Sequence, residues 1–187
     1  VLDHGCGYGE NLIFLTKKGY KVHGVDISED LIEWVALKCK LKQVPTTLYS
    51  LQLLGNGTKL QFDDETFDHV TSLGVLECLG TRAAAVHCVS ELTRVLKPGG
   101  RMIVSTLAPG NSFVLEGQQV GEEQIYFKGK ETFKDIEMKL NLYIPKDNNS
   151  YASIFPDSCT VIEIGSWDND FCNVKGKHYV ALVTKNS

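Results

Sequence analysis

The spacing of apolar residues changes period repeatedly over the first 106 positions. Val1-Leu2-Asp3 reads as the tail of a short strand broken by glycine. Leu12, Ile13 and Leu15 recur at a helical spacing within residues 11–18, and Gly19 stands where a helix C-cap belongs. Residues 21–26 predict a second strand. Ser28 follows as an N-cap, with Glu29 and Asp30 in the first turn, where the helix dipole favours acids. Leu31, Trp34, Val35, Leu37 and Leu41 carry that helix to about Lys42, its apolar face and Trp34 reading as core, until Pro45 stops it. Residues 48–54 predict a third strand ended by Gly55-Asn56-Gly57, and residues 67–72 a fourth. Residues 81–96 predict a long helix with Val86, Val89, Leu92, Val95 and Leu96 on one side. Pro98-Gly99-Gly100 reads as a turn before a fifth strand over 101–106. This alternation predicts parallel strands, right-handed crossovers and helices on both faces of one sheet.

The rhythm stops after residue 107. Residues 108–158 are polar, with scattered glycine and aromatics. Within them Ile136, Met138, Leu140, Leu142 and Ile144 alternate with Glu137, Lys139, Asn141 and Tyr143, a period of two that favours a strand. Residues 161–165 and 178–184 predict two more strands joined by a polar loop around Asp168-Asn169-Asp170, a hairpin at the sheet edge. Trp167 falls in that loop. A chain of 187 residues is one domain's worth, 1–187, with 108–158 as a substrate-covering insertion.

Composition narrows the function. Lys and Arg number 19 against 23 Asp and Glu, a formal charge of −4, with no basic stripe, so nucleic acid is not the expected partner. No apolar run reaches the roughly 18 residues of a membrane span, and no charged-then-apolar leader opens the chain. The cysteines (Cys6, Cys39, Cys78, Cys88, Cys159 and Cys172) show no C-x-x-C pair and no neighbouring His at finger spacing. They read as free thiols of a reducing, cytoplasmic protein, without a zinc site.

The chemistry concentrates in Val1-Leu2-Asp3-His4-Gly5-Cys6-Gly7-Tyr8-Gly9-Glu10-Asn11. Alternate glycines after a strand allow a tight turn and close approach of a ligand to main-chain N–H groups. The helix that follows aims its free N–H groups and positive end over the same loop. The spacing is G-x-G-x-G, not the G-x-G-x-x-G of dinucleotide binders. Asp3, two positions before the first glycine, would repel a pyrophosphate and suits a cationic group. Asp26, ending the second strand, is placed to accept both hydroxyls of a ribose, each such bond being worth about 1.5–3 kcal/mol. A ribose at one end and an amino group at the other describe the ligand.

These residues resemble the glycine-rich motif of class I S-adenosylmethionine-dependent methyltransferases, and Gly24-Val25-Asp26-Ile27-Ser28 is similar to the acidic motif that follows it. The run from Leu60 to Val70 resembles that family's approach to the fourth strand, with Gln61 replacing the usual Pro. Leu96-Lys97-Pro98-Gly99-Gly100-Arg101 resembles its turn before the fifth. The nearest subgroup is the small-molecule methyltransferases typified by quinone-biosynthesis enzymes. The resemblance implies a doubly wound, Rossmann-like α/β/α fold with a seven-stranded sheet in the order 3-2-1-4-5-7-6, strand seven antiparallel. The family also usually carries helices before the first strand, and these would precede Val1.

The resemblance further implies S-adenosyl-L-methionine as cofactor, S-adenosyl-L-homocysteine as product, and in-line methyl transfer to a small-molecule acceptor. By position, Asp3, Gly5, Cys6, Gly7 and Gly9 would line the methionine end, and Asp26 and Ile27 would hold ribose and adenine. Asn56 and Gly57 stand where an Asp commonly meets the adenine amino group. Leu73 and Gly74 stand where the backbone meets the methionine moiety, Leu73 replacing a frequent polar residue. No catalytic residue is singled out. His4 reads as a packed strand-end side chain, and Asp63, Asp64 and Glu65 as a solvated turn rather than a metal site. The resemblance places the substrate pocket at the carboxyl ends of the strands, walled by residues 73–79, 106–112 and 117–143; Glu77 and Cys78 fall there, where substrate-facing residues gather, and read as core or helix-start residues. The alternatives are a non-catalytic S-adenosylmethionine-binding domain of the same fold, or aminopropyl transfer, whose acidic substrate-binding residues are not evident.

Overall fold

The computed structural model describes residues 1–55, 59–130, 137–168 and 175–187. Seven strands form the main sheet: β1 (Leu2–His4), β2 (Val22–Asp26), β3 (Tyr49–Leu53), β4 (Phe67–Ser72), β5 (Leu96–Leu107), and, late in the chain, β9 (Cys159–Asp168) and β10 (Lys177–Lys185). Their order is β3-β2-β1-β4-β5-β10-β9. The first five strands run parallel, and β10 lies antiparallel to both β5 and β9. This is the order expected from the sequence, with the terminal hairpin at the sheet edge.

Three longer helices cross the sheet: α1 (Glu10–Lys17), α2 (Glu29–Leu41) and α3 (Arg82–Val95). Ser28 caps α2 by accepting the Leu31 N–H, and Thr81 caps α3 by accepting the Ala84 N–H, so each helix starts where a side-chain oxygen replaces a missing backbone acceptor. Strand alternation sends side chains to two cores. Val22, Tyr49 and Leu51 pack with Leu12, Ile13, Val35 and Cys39 of α1 and α2. Leu2, Val25, Val70, Met102, Val104 and Val183 face the other way, against Ala85, Val89 and Leu92 of α3. Burying each of these aliphatic side chains contributes about 1.5–3 kcal/mol.

Some details depart from the sequence reading. Pro98-Gly99-Gly100 is not a turn ahead of a strand, because β5 already begins at Leu96. Phe67 pairs with Leu96 and His69 with Arg101, so β4 advances two residues while β5 advances five. The surplus is a bulge, absorbed where Gly99 takes φ 72°. Trp34 is 49% exposed rather than core, because α2 turns Val35 and Cys39 inward instead. Trp167 belongs to β9, not to a loop, and stacks on His178 at 4.7 Å between ring centroids.

The segment between β5 and β9 folds as a second, three-stranded antiparallel sheet of β6 (Gln118–Gly121), β7 (Gln124–Lys130) and β8 (Glu137–Tyr143), with short helices α4 (Ser112–Leu115) and α5 (Asn148–Ala152) on either side. The strand read from alternation is β8, and Ile136 lies outside the described residues. Strands β6 and β7 escaped notice because Gln, Lys and Gly dilute their pattern. Only Ile125 and Phe127 of β7 reach the small core, where they meet Leu107, Leu142 and Ile144.

Candidate functional site

Because β1, β2, β4 and β5 are parallel, their carboxyl ends share one edge of the sheet, the edge at which open α/β sheets bind ligands. The loop from Gly5 to Gly9 lies there, and all three glycines have positive φ (68°, 50° and 75°). They do different work. A Cβ on Gly5 would stand 2.3 Å from Val75 Cγ2, and one on Gly9 2.7 Å from Val35 Cγ1, so these two are packing glycines. A Cβ on Gly7 meets nothing nearer than the Gly5 carbonyl at 3.9 Å, so its missing side chain keeps the space over the loop open. No side chain caps α1, which starts directly from Gly9 and leaves its first N–H groups toward the loop.

Two carboxylates flank this opening. Asp26 is 7% exposed, accepting the Gly7 N–H at 2.9 Å through Oδ2 and the Ser28 N–H at 3.0 Å through Oδ1. It thereby ties the glycine loop to the end of β2 and keeps a second lone pair on each oxygen. Asp3 is 2% exposed; its Oδ1 accepts the Thr71 hydroxyl at 2.9 Å, while Oδ2 is buried without a partner. Burial raises the Asp3 pKa, the Thr71 bond opposes it, and the charge of Asp26 adds a smaller rise. Burial is the largest of these influences and Asp26 the least, so a cation beside Asp3 would chiefly offset the cost of its burial.

The far wall follows β4. Gly74 is exposed, takes φ 74°, and donates its N–H to Ser105 Oγ at 3.0 Å, which joins the ends of β4 and β5; Leu73 is half-buried beside it. His4 Nδ1 and Ser72 Oγ lie 3.0 Å apart and tie β1 to β4, and burial depresses the His4 pKa to about 4, so the ring is neutral. His4 is thus the packed strand-end residue foreseen.

The structure therefore brings Asp3, Gly5, Gly7, Gly9, Asp26, Leu73 and Gly74 to one edge, with Ile27 79% exposed beside Asp26. Cys6 is different. Its N–H donates to the Val25 carbonyl and its carbonyl accepts the Gly9 N–H, while Sγ lies 3.3 Å from where a Gly24 Cβ would be. Burial pushes its thiol up to about 12, so it is an inert packing residue. Asn56 and Gly57 lie outside the described residues. Sequence reasoning missed Thr71, Ser105, Val75 and Lys38, the last bonding the Tyr8 carbonyl at 2.9 Å. All are supports contributed from other elements, and no local pattern marks them.

A cleft of about 410 Å³ lies elsewhere, where the second sheet meets α3 and α5; its charged side chains are Arg82, Glu122, Glu123, Lys146 and Asp147. Arg82 faces Glu123 at 3.6 Å and Lys146 pairs with Glu122 at 2.7 Å, which marks a junction rather than a reaction centre.

The orphaned Asp3 oxygen, the open space over Gly7 and the spare lone pairs of Asp26 fit the ammonium, the chain and the ribose of S-adenosylmethionine. Comparison with known proteins agrees. The family model described as "Methyltransferase domain" matches residues 2–104, and the chain belongs to that family. A demethylmenaquinone methyltransferase of Symbiobacterium thermophilum is 39% identical over 107 residues, covering 55% of this chain and 40% of that protein. A ubiquinone biosynthesis O-methyltransferase of Alkalilimnicola ehrlichii is 32% identical over 107 residues, covering 57% of this chain and 41% of that protein. The chain thus spans about two fifths of the length of these relatives. A solved SAM-dependent methyltransferase of Methanosarcina mazei shares the fold, with TM-score 0.82 at 18% identity over 99% of this chain and 91% of that one. No helix among the described residues is long and apolar enough to cross a membrane.

Proposed function

We propose that this chain binds S-adenosylmethionine and transfers its methyl group to a small quinol-type acceptor. One observation carries the reading: a glycine loop whose middle glycine leaves open space donates an N–H to buried Asp26, with buried Asp3 and its unpartnered oxygen at the end of the neighbouring strand. The quinol class is carried over from the names of the relatives. We further propose that residues 1–187 act as one domain, with 108–158 covering the acceptor, and that the protein works in the cytoplasm, as its cysteine spacing favours.

S-adenosylmethionine supplies an electrophilic methyl on a sulfonium that leaves readily. The work left to the chain is alignment and exclusion of water, which can be worth about 7–11 kcal/mol of barrier. Asp3 would hold the ammonium, Asp26 the ribose diol, and Ile27 would offer its exposed side chain to the adenine. Gly5, Gly7 and Gly9 would shape the cradle, and Leu73 and Gly74 would border the reacting end. Cys6 would support the loop from beneath.

Calorimetric titration with S-adenosylhomocysteine tests this. Wild type should bind. Asp26→Ala should weaken binding by about 10- to 100-fold, the loss of one or two charge-assisted bonds. Gly7→Ala should weaken it by a similar factor, since its methyl enters the open space. A methyl-release assay across quinols, catechols and amines then identifies the acceptor. Absence of binding by the wild type overturns the reading, and binding without transfer to any acceptor would mark a non-catalytic domain.

A further inference from the structure

The turn Leu76–Leu79, immediately after β4, carries Glu77 at 6% exposure. Its Oε2 is buried without a hydrogen-bond partner, and so are Thr106 Oγ1 near the end of β5 and the Tyr143 hydroxyl at the end of β8. An unmet buried polar group costs folding stability, so the Glu77 oxygen calls for an explanation beyond folding. The other carboxyl oxygen lies toward Gly74: a Cβ on that exposed glycine would stand 3.6 Å from Glu77 Oε1. Glu77 therefore joins a buried, unpartnered oxygen to the lip of the proposed methyl-transfer pocket.

We propose that Glu77 is the base that takes the proton from an acceptor hydroxyl, and that the acceptor is a phenol or enol. This rests on the methyl-transfer reading above. In the step, the acceptor O–H bond breaks and its electron pair stays on oxygen. The oxygen forms a bond to the methyl carbon, the methyl–sulfur bond breaks with its pair leaving on sulfur, and the proton ends on the Glu77 carboxylate, from which solvent later removes it. The surroundings suit the task. Burial pushes the Glu77 pKa up to about 7, with its own backbone N–H opposing. The other titratable groups around it are Tyr151 from α5 and Cys78 on its own turn, with Tyr143 from β8 beside Tyr151; burial raises all three, so they are neutral at pH 7. A base poised near the working pH combines availability with driving force.

The test uses the full chain, with S-adenosylhomocysteine binding measured beside methyl transfer to catechols and to amines between pH 5.5 and 9. Glu77→Gln should bind S-adenosylhomocysteine within about twofold of wild type, yet lose about 10²–10⁴-fold in kcat toward catechols. The rise in wild-type rate through about pH 7 should vanish in that variant, and Glu77→Asp should restore part of the rate with a displaced pH limb. A Glu77→Gln variant that keeps wild-type kcat, or keeps the pH limb, overturns the proposal while leaving methyl transfer standing. Transfer to amines alone, or a chain that binds S-adenosylhomocysteine yet methylates no catechol, overturns it too. Failure of the wild type to bind S-adenosylhomocysteine overturns the underlying reading instead.

Discussion

Burial disfavours the charged forms of both Glu77 and His4, and their effects on stability run in opposite directions with pH. The Glu77 pKa rises from 4.5 to about 7 on folding, so its contribution is fully present below pH 4.5 and lost as pH climbs through 7. The His4 pKa falls from 6.5 to about 4, so its contribution is present above pH 6.5 and lost as pH drops through 4. Each shift corresponds to about 3 kcal/mol at 1.36 kcal/mol per unit. Between pH 4.5 and 6.5 the two slopes oppose each other. In urea denaturation, the stability of Glu77→Gln relative to wild type should therefore grow by about 3 kcal/mol from pH 4.5 to pH 8. A difference that does not change with pH would mean that Glu77 titrates as it does in water. Asp3 and Asp26 were legible one residue at a time, because each sits at a strand end beside glycine or a helix cap. Glu77 was legible as a core or helix-start residue, but its nearness to Tyr151, far along the chain, was not.

Among the elements, the connection from Leu60 to Thr66 shows how far local pattern reaches. Asp63, Asp64 and Glu65 read as a solvated turn, and the Asp64 side chain is indeed 74% exposed. What holds the turn is Arg94 in the last turn of α3. Its guanidinium donates to the Leu60 carbonyl at 2.9 Å, the Phe62 carbonyl at 2.8 Å, Asp64 at 2.7 Å and both oxygens of Glu91. Glu91 in turn accepts the Leu60 N–H at 3.0 Å. Arg94→Met should cost about 2–3 kcal/mol in guanidinium denaturation, because two carbonyls lose a charged donor. S-adenosylhomocysteine affinity should change little, as the connection lies apart from Gly7 and Asp26. The cap at Ser28 was readable because it acts within three residues. The bulge at Gly99 was not, because its register is set by β4.

At the scale of the whole molecule, the second sheet is fastened to the main domain by a buried carboxylate. Glu123, 9% exposed, accepts the Ser150 hydroxyl and the Lys146 N–H, and faces Arg82 of α3, which also donates to the Ser153 hydroxyl at 2.8 Å. Gln124 adds a bond to the Gly80 carbonyl at 3.0 Å. Glu123→Ala combined with Arg82→Ala should loosen this junction. Limited proteolysis should then cut within residues 108–158 several-fold faster, while the seven-stranded core stays intact. Equal cleavage rates would show that the small core around Phe127 and Leu142 fastens the sheet by itself.

The sequence by itself determined the alternation of strand and helix, the five parallel strands, the edge hairpin and the two acids that bracket the glycine loop. All of these are written in spacings of a few residues, where side-chain period and capping chemistry act. The tertiary structure alone decided which glycine stays open, that Cys6 faces inward, and that β6, β7 and β8 pair as a second sheet. Those features depend on which distant side chains exclude water from a given atom, and desolvation is a property of the packed neighbourhood, not of the local string.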